Sequence, residues 1–482
     1  MEKHILSKST FIRGAQCLKS LYLNKKRPFL RDRFSDVQRA KFKRGTDVGV
    51  LAQQLFPGGI NLKPKSPSQY RKKVAETSEI LRTESYRILY EAAFQYDQLL
   101  ILLDILVKKQ GGWVAFEVKS SLGVTETYLR DAAFQYYVIT HSGIRLKDFF
   151  LVTINPDYVL EGETDIQQLF VQHNVTEEVK DRQDWVGQQI KKEKETLELP
   201  HSPKINIGPQ CKHPYPCDFQ GHCWKNVPGN SILYLDAFHE KDRFEKYYLK
   251  KDSPEIQNMS LCTEAQQIQL QSAIQKKIYL NRGQIKSFLQ SITTDSIFLS
   301  YYFINPAIPI LQNTAPYQAI PVAASSGRID SFSKTKFFFP TDHPFEQFKS
   351  YLSNQLLCCT KIIGYDFAQI TSFLLSIHEE KLLSRLQDRF IDMKMLFDNQ
   401  AIYHYMLRGD YTAQQVSKVI LNESVRELNP ALLSMNWQKS LFNKEENFAG
   451  LKEQTEYYLG QSDRFNRKFS DFLQNTQETP KF

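Results

Sequence analysis

Residues 99–107 form an almost unbroken apolar run of strand length, and its single interruption is Asp104. Gly111-Gly112 then turns the chain into a second run, residues 113–119, which predicts a β-hairpin. With residues 109–112 as its loop, Lys108 opposes Trp113, and the same register sets Asp104 opposite Glu117. The two-residue period sends Glu117 and Lys119 to one face and Phe116 and Val118 to the other, and the latter pair is expected to enter the core. Residues 125–140 carry helical spacing and end near Gly143, with Tyr128, Asp131 and Gln135 on one face. That face is placed to look back at the acid pair, although for Tyr128 and Asp131 an ordinary amphipathic surface is the preferred reading.

Further along, residues 231–292 are rich in Leu, Lys, Gln and Glu, with helical spacing clearest at 264–277. From Asp295 short apolar runs (297–303, 336–339, 361–365) alternate with helical patterns (368–377, 390–397), the order of a mixed α/β domain. The expected organisation is a first domain over 1–228, a helical connector over 229–293, a second α/β domain over 294–470 and a flexible polar tail over 471–482.

A chain of 482 residues exceeds what one core usually supports, in keeping with two domains. The apolar share of 41% is ordinary, and no run approaches the roughly 20 residues of a membrane span, so a membrane partner is not expected. Residues 1–9 are polar and lack a secretory signal's apolar core, which predicts a reducing, cytoplasmic setting. There, seven cysteines point to metal binding before disulfides. A net charge of +9 tilts only slightly toward phosphate-bearing partners.

A carboxylate inside an apolar strand costs several kcal/mol unless it is paired or binds a metal. One resolution at Asp104 is a buried ion pair with Lys119. The other is a divalent ion, Mg²⁺ or Mn²⁺, held by Asp104 and Glu117, with Lys119 orienting or deprotonating the attacking water. In the stretch QCKHPYPCDFQGHCW, Cys211, Cys217 and Cys223 are spaced by five residues each way among Pro214, Pro216 and Gly221, which reads as a metal knuckle. His213 or His222 would complete a zinc site; Cys17 is another source of a fourth ligand. Cys262, Cys358 and Cys359 read as core or incidental thiols.

Asp104, twelve intervening residues, Glu117-Val118-Lys119 and a helix bearing Gln135 resemble the RecB-type branch of the PD-(D/E)XK nucleases. The resemblance implies a restriction-endonuclease-like mixed sheet flanked by helices, with Asp104, Glu117 and the Val118 carbonyl as metal ligands. Lys119 would assist the water, and Gln135 would match the family's helical glutamine. The tyrosine usual four residues later is replaced by Ile139, and the histidine of the early helix by Gly49, leaving Asp47 nearby as a substitute. Members with iron–sulfur clusters take one cysteine before the catalytic motifs and three after them. The stretch FIRGAQCLKSLYL is similar to their first-cysteine segment, which implies a [4Fe–4S] cluster on Cys17, Cys211, Cys217 and Cys223.

The whole chain resembles a bacterial family that fuses such a nuclease to a DnaQ-like exonuclease domain of ribonuclease-H fold. Its first exonuclease strand normally carries Asp-x-Glu, and here Ser300 and Tyr302 stand in those places, so the resemblance implies a degenerate domain with Asp366 and Asp392 as remnants. That domain would still bind nucleic acid or a protein partner. The implied activity is metal-dependent hydrolysis of DNA phosphodiester bonds. The alternative is a zinc-bearing or cluster-bearing scaffold that binds nucleic acid or protein with a decayed nuclease core.

Overall fold

The computed structural model describes residues 5–33, 36–249, 262–329, 336–340, 343–423, 430–442 and 448–478. The chain is mixed α/β and divides into two compact units, residues 1–226 with 307–316, and 227–306 with 317–482. The segment 229–293 thus falls inside the second unit and is not a separate connector. Residues 307–316 belong with the first, where the Leu160 and Asn313 backbones exchange hydrogen bonds with Thr314 and Leu160.

The first unit begins with β1 (Leu6–Ser7), α1 (Lys8–Gln16), α2 (Leu18–Lys26), α3 (Asp36–Ala52), β2 (Ile60–Asn61) and α4 (Tyr70–Thr83). An antiparallel meander follows, β3 (Ile88–Tyr96), β4 (Leu99–Lys109) and β5 (Gly112–Val118). Then come α5 (Glu126–His141), β6 (Leu146–Ile154), α6 (Ile166–Leu169), β7 (Phe170–Asn174), α7 (Thr176–Asp181), α8 (Gln183–Glu198) and α9 (Gln220–Cys223). The sheet order is β2-β3-β4-β5-β6-β7, with β1 added against β4. Helix α5 is the crossover between the parallel pair β5 and β6.

The β4–β5 hairpin keeps the register read from the sequence, with Lys108 opposite Trp113, but its turn is tighter than expected. Lys109 pairs with Gly112, and Gly111 at φ 91 takes a left-handed conformation that favours glycine. The expectation that Phe116 and Val118 enter the core holds for Phe116, which is fully buried, while Val118 is half-buried and the larger core lies on the other face. Trp113 and Ala115, on the Glu117 side of β5, join Phe11 of α1, Phe134 and Val138 of α5 and Val186 of α8 in the main core. Phe116 packs on the opposite side against Phe56 and Phe150. Both faces are covered, so alternation alone could not say which held the larger core.

Strand β3 was not read from the sequence, and with β4 it explains how the sheet accepts a carboxylate. In β4 the core-facing residues switch from Leu106 to Leu103, Ile101 and Leu99; in β3 they switch from Leu89 to Ala92 and Phe94. The pairing passes from Tyr90↔Ile105 to Ala92↔Leu103, leaving Glu91 at φ 55 beside Asp104. The pleat therefore breaks where the acid sits, a local irregularity of the kind found beside functional sites.

The second unit holds α10 (Glu240–Tyr248), α11 (Glu264–Gln275), β8 (Tyr279–Leu280), α12 (Arg282–Gln290), β9 (Ile297–Ile304), β10 (Ile320–Arg328) and β11 (Lys336–Phe338). It continues through α13 (Pro344–Cys358), β12 (Ile362–Gly364), α14 (Ala368–Ser376), α15 (Glu380–Gln387), β13 (Phe390–Asp392), α16 (Met395–Asp398) and β14 (Ile402–Tyr403). Helices α17 (Ala413–Val419), α18 (Pro430–Phe442) and α19 (Ala449–Glu478) complete it. Its sheet runs β11-β10-β9-β12-β13, antiparallel on the β10 side of β9 and parallel on the other. The helix expected over 390–397 is instead β13 followed by α16, and the expected flexible tail is helical as far as Glu478. Residues 479–482 and the side chain of Cys358 lie outside the described residues. Among the described residues no helix is long and apolar enough to cross a membrane.

Candidate active site

Four elements meet at the acid pair. Asp104 lies in β4 and Glu117 in β5, and the backbone N–H of Val118 donates to Asp104 Oδ2 at 2.7 Å. Lys119, just past β5, donates to Glu117 Oε1 at 2.8 Å and to Asp131 Oδ2 at 2.5 Å, and its ammonium stands 5.3 Å from the centre of the Tyr128 ring. Helix α5 supplies Asp131 and Tyr128 because Thr125 caps it, accepting from the Tyr128 N–H, and fixes where its first turns start. Lys8, the first residue of α1, reaches the same Glu117 oxygen at 2.6 Å.

Asp131 is therefore buried and ion-paired, and Tyr128 flanks the lysine, so the reading of both as ordinary helix surface is corrected. The Asp104–Lys119 ion pair weighed from the sequence is not what forms: Lys119 pairs with Glu117 and Asp131. Gln135 is fully buried one turn beyond Asp131. Asp47, by contrast, is exposed on α3.

Glu117 Oε2, Asp131 Oδ1 and both amide atoms of Gln135 are buried without a hydrogen-bond partner among the described residues. Orphaned buried carboxylate oxygens are costly, so the cluster has unspent capacity for a cation or a donor. Burial and the neighbouring Glu117 push the Asp104 carboxyl up to about 7. Burial also pushes Glu117 up, but Lys119 and Lys8 outweigh it and hold Glu117 ionised. Two acids this close cannot both ionise freely, and the lysines decide which one does. Burial presses both ammoniums down, yet their carboxylate neighbours more than reverse it, so Lys8 and Lys119 are held as cations well above the ordinary lysine range. Held between two carboxylates, the Lys119 ammonium can orient a nucleophile and offset anionic charge. Asp104 and Glu117 offer hard carboxylate oxygens, the donor type that Mg²⁺ and Mn²⁺ take.

Cys17 is the elbow between α1 and α2, closing one helix and opening the next with extended backbone at φ −161. Cys17, Cys211, Cys217 and Cys223 all line one cavity, and neither His213 nor His222 does. Burial raises the thiols of Cys17 and Cys223, and Cys217 and Cys211 raise each further. The knuckle is braced by Asp218, which takes Arg13 and Arg31 on its two oxygens, and by Phe219, which both guanidiniums flank. Among the described residues no group of three or more His, Cys, Asp or Glu side chains is already drawn together to hold a metal ion. Four thiols around one cavity nevertheless make a soft donor set that fits iron–sulfur or zinc chemistry.

In the second unit Ser300 and Tyr302 are buried, Ser300 accepting from Asn466 Nδ2 at 3.3 Å and Tyr302 donating to the Pro430 carbonyl at 2.6 Å. Asp392 accepts from the backbone N–H groups of Asp366, Phe367 and Lys394, and Asp366 pairs with Lys394 at 2.8 Å. These residues hold the fold of the β12–β13 end.

One site residue had escaped the sequence reading: Lys8 carried no signal beyond a polar start to the first helix.

Residues 297–412 match the family described as a domain of unknown function (DUF2779). No curated protein matches the chain.

Proposed function

We propose that the first unit is a divalent-metal-dependent nuclease that hydrolyses phosphodiester bonds of DNA. The observation that carries this reading is the buried Asp104 and Glu117 pair with an orphaned Glu117 oxygen and Lys119 fixed beside it. Asp104, Glu117 and the Val118 carbonyl would hold the Mg²⁺ or Mn²⁺, whose Lewis acidity would polarise the phosphate and the attacking water. The chain's own contribution is positional and electrostatic. Lys119 orients the water and offsets charge on the phosphate, Asp131 keeps that ammonium in place, and Lys8 adds a second cation at Glu117. Gln135 offers an unpaired amide for the same region.

Cys17, Cys211, Cys217 and Cys223 would hold a [4Fe–4S] cluster that ties residue 17 to residue 223, and a lining that includes Cys17 but neither His213 nor His222 supports the four-cysteine set over a zinc site completed by histidine. The described cysteines are free thiols, which suits a reducing cytoplasm. For the second unit we propose a degenerate, ribonuclease-H-like domain that binds nucleic acid or a protein partner, because its first strand offers Ser300 and Tyr302 where a two-metal exonuclease needs acids.

The test is cleavage of labelled single-stranded and duplex DNA with Mg²⁺ or Mn²⁺. Wild type should cut, and Asp104→Ala, Glu117→Ala and Lys119→Ala should each lose cleavage while remaining folded. Full activity in all three variants would overturn the assignment.

A further inference from the structure

Almost the whole net charge of the chain lies in one short stretch. Residues 19–44 hold ten lysines and arginines against two aspartates, a net +8 where the full chain carries +9. The stretch covers α2, the loop after it and the first half of α3, and among its described side chains Lys26, Arg27, Arg33, Arg39 and Lys43 are exposed. Between Arg27 and Arg31, Pro28–Leu30 makes a tight helical turn with proline at its first position. Phe29, in the middle of that turn, is 79% exposed.

The turn is pinned from below. Leu30 packs on Tyr22, Leu23 and Phe219, in the apolar cluster that also takes in Cys217 and Cys223. Arg31 pairs with Asp218 at 3.0 Å, the Asp32 N–H donates to the Asp218 carbonyl at 2.7 Å, and Asp32 Oδ2 accepts from the Gly221 N–H at 2.9 Å. Pro28 fixes one backbone torsion besides. The residues after Phe29 are thus spent on holding the turn against the cysteine knuckle, while Phe29 itself stays in solvent. A lone exposed apolar side chain is ordinary. Here the ring sits on a braced turn, with exposed Lys26 and Arg27 before it and exposed Arg33 after it. That combination suits a single strand of nucleic acid, whose phosphates take the cations while a base stacks on the ring. A duplex keeps its base faces stacked on one another, so the ring selects an unpaired strand. The bracing adds affinity, because a turn already ordered loses little freedom on binding.

We propose that the turn 26–33 is a docking site for single-stranded DNA, with Phe29 stacking on a base and Lys26, Arg27 and Arg33 on neighbouring phosphates. The cysteine knuckle is then the platform that holds this turn in place. The inference rests on the nuclease reading above for its choice of DNA, and its test reads binding, not cleavage.

The experiment measures fluorescence anisotropy of a labelled oligothymidylate and of a labelled duplex with the full chain, without added divalent ion, over a series of salt concentrations. Wild type should bind the single strand. Phe29→Ala should weaken that binding about tenfold with an unchanged salt dependence, should leave duplex binding as in wild type, and should unfold like wild type because the ring packs on little. Phe29→Trp should keep the affinity, and its added indole emission should be quenched when the strand binds. The triple variant Lys26→Gln, Arg27→Gln, Arg33→Gln should flatten the slope of log K against log salt by about 2, since each phosphate contact on a single strand contributes about 0.7. Wild type that does not bind the single strand overturns the proposal, as does Phe29→Ala that binds it as tightly as wild type or loses single strand and duplex equally. Phe29→Ala that loses only wild-type binding to phosphatidylserine vesicles would overturn it in favour of a membrane surface. The expected binding in a protein that cuts nothing with Mn²⁺ would defeat the nuclease reading and keep the docking turn. Wild-type binding by Phe29→Ala, beside loss of cleavage in Asp104→Ala, would do the reverse.

Discussion

Asp131 is the residue whose role changed most between sequence and structure. Its spacing with Tyr128 on α5 fitted a solvated helix face, because a periodicity cannot show that α1 and the end of β5 close over that face. Its carboxylate now balances the Lys119 ammonium in a nearly dry site. Removing one partner of a buried pair costs about 3 to 5 kcal/mol. Asp131→Asn should therefore lower stability by roughly that amount, softened by the remaining Glu117, and should reduce kcat more than KM; denaturant unfolding and steady-state kinetics check both. Glu193 of α8 is a second acid that no pattern marked, buried against Gly14, where an added Cβ would meet its side chain at 2.3 Å. Burial pushes its carboxyl up to about 9, against an ordinary value of 4.5, and Gln189 only partly offsets this. Below the ordinary value the proton is bound in folded and unfolded chains alike. Between the two values the unfolded chain releases it and the folded chain keeps it, so Glu193 makes stability fall as pH rises, by at most roughly 1.4 kcal/mol per pH unit. Glu193→Gln should remove that slope, and its advantage over wild type in thermal unfolding should widen from about pH 5 to about pH 8. An advantage that is constant with pH would show that the wild-type carboxyl is not held neutral.

At the scale of elements, the parts with strong local signals were legible. The hairpin register followed from one Gly-Gly turn and two apolar runs, and the bounds of α5 followed from Thr125 and Gly143. What the sequence could not yield depends on distant partners. Strand β3 mixes Glu91 and Gln95 into its apolar pattern, and β10 ends in Ser-Ser-Gly-Arg, so each becomes a strand only through its neighbours. The last turns of α19, from residue 471, are polar enough to read as a tail until Leu473 is seen packed in a core of the second unit. The cysteines lie between these cases. Their spacing marked a knuckle, but only the elbow at Cys17 shows how residue 17 comes to line the same cavity. Protein prepared without oxygen is expected to be brown, with a broad visible band that bleaches on oxidation, since thiolate-bound iron absorbs there and zinc does not. Serine at any of Cys17, Cys211, Cys217 or Cys223 should remove the colour and lower stability together, whereas His213→Ala and His222→Ala should keep both. A colourless preparation holding one zinc, with Cys17→Ser harmless, would move the fourth ligand to a histidine.

At the scale of the molecule, two units of similar construction carry unequal chemistry. Each has a mixed sheet flanked by helices, and the first gathers two acids and a lysine at an irregular point of its sheet. In the second, the corresponding polar groups are spent on the fold. Asp392 has three backbone N–H donors on its carboxylate, which is the pattern of a side chain that pins a strand end, and its neighbour Asp366 is tied to Lys394. The loss of Asp392 would release those donors at a half-buried position where water replaces only some of the bonds. The expected cost is about 1 to 3 kcal/mol, confined to the unit that contains residues 317–482. Asp392→Ala should therefore unfold at lower denaturant while cutting DNA at the wild-type rate under conditions where it is still folded. Both quantities come from one preparation, by urea titration and by initial rates with Mn²⁺. If Asp392→Ala kept its stability and lost cleavage, the carboxylate would be acting on substrate, and the second unit would have to be counted as part of the catalytic machinery.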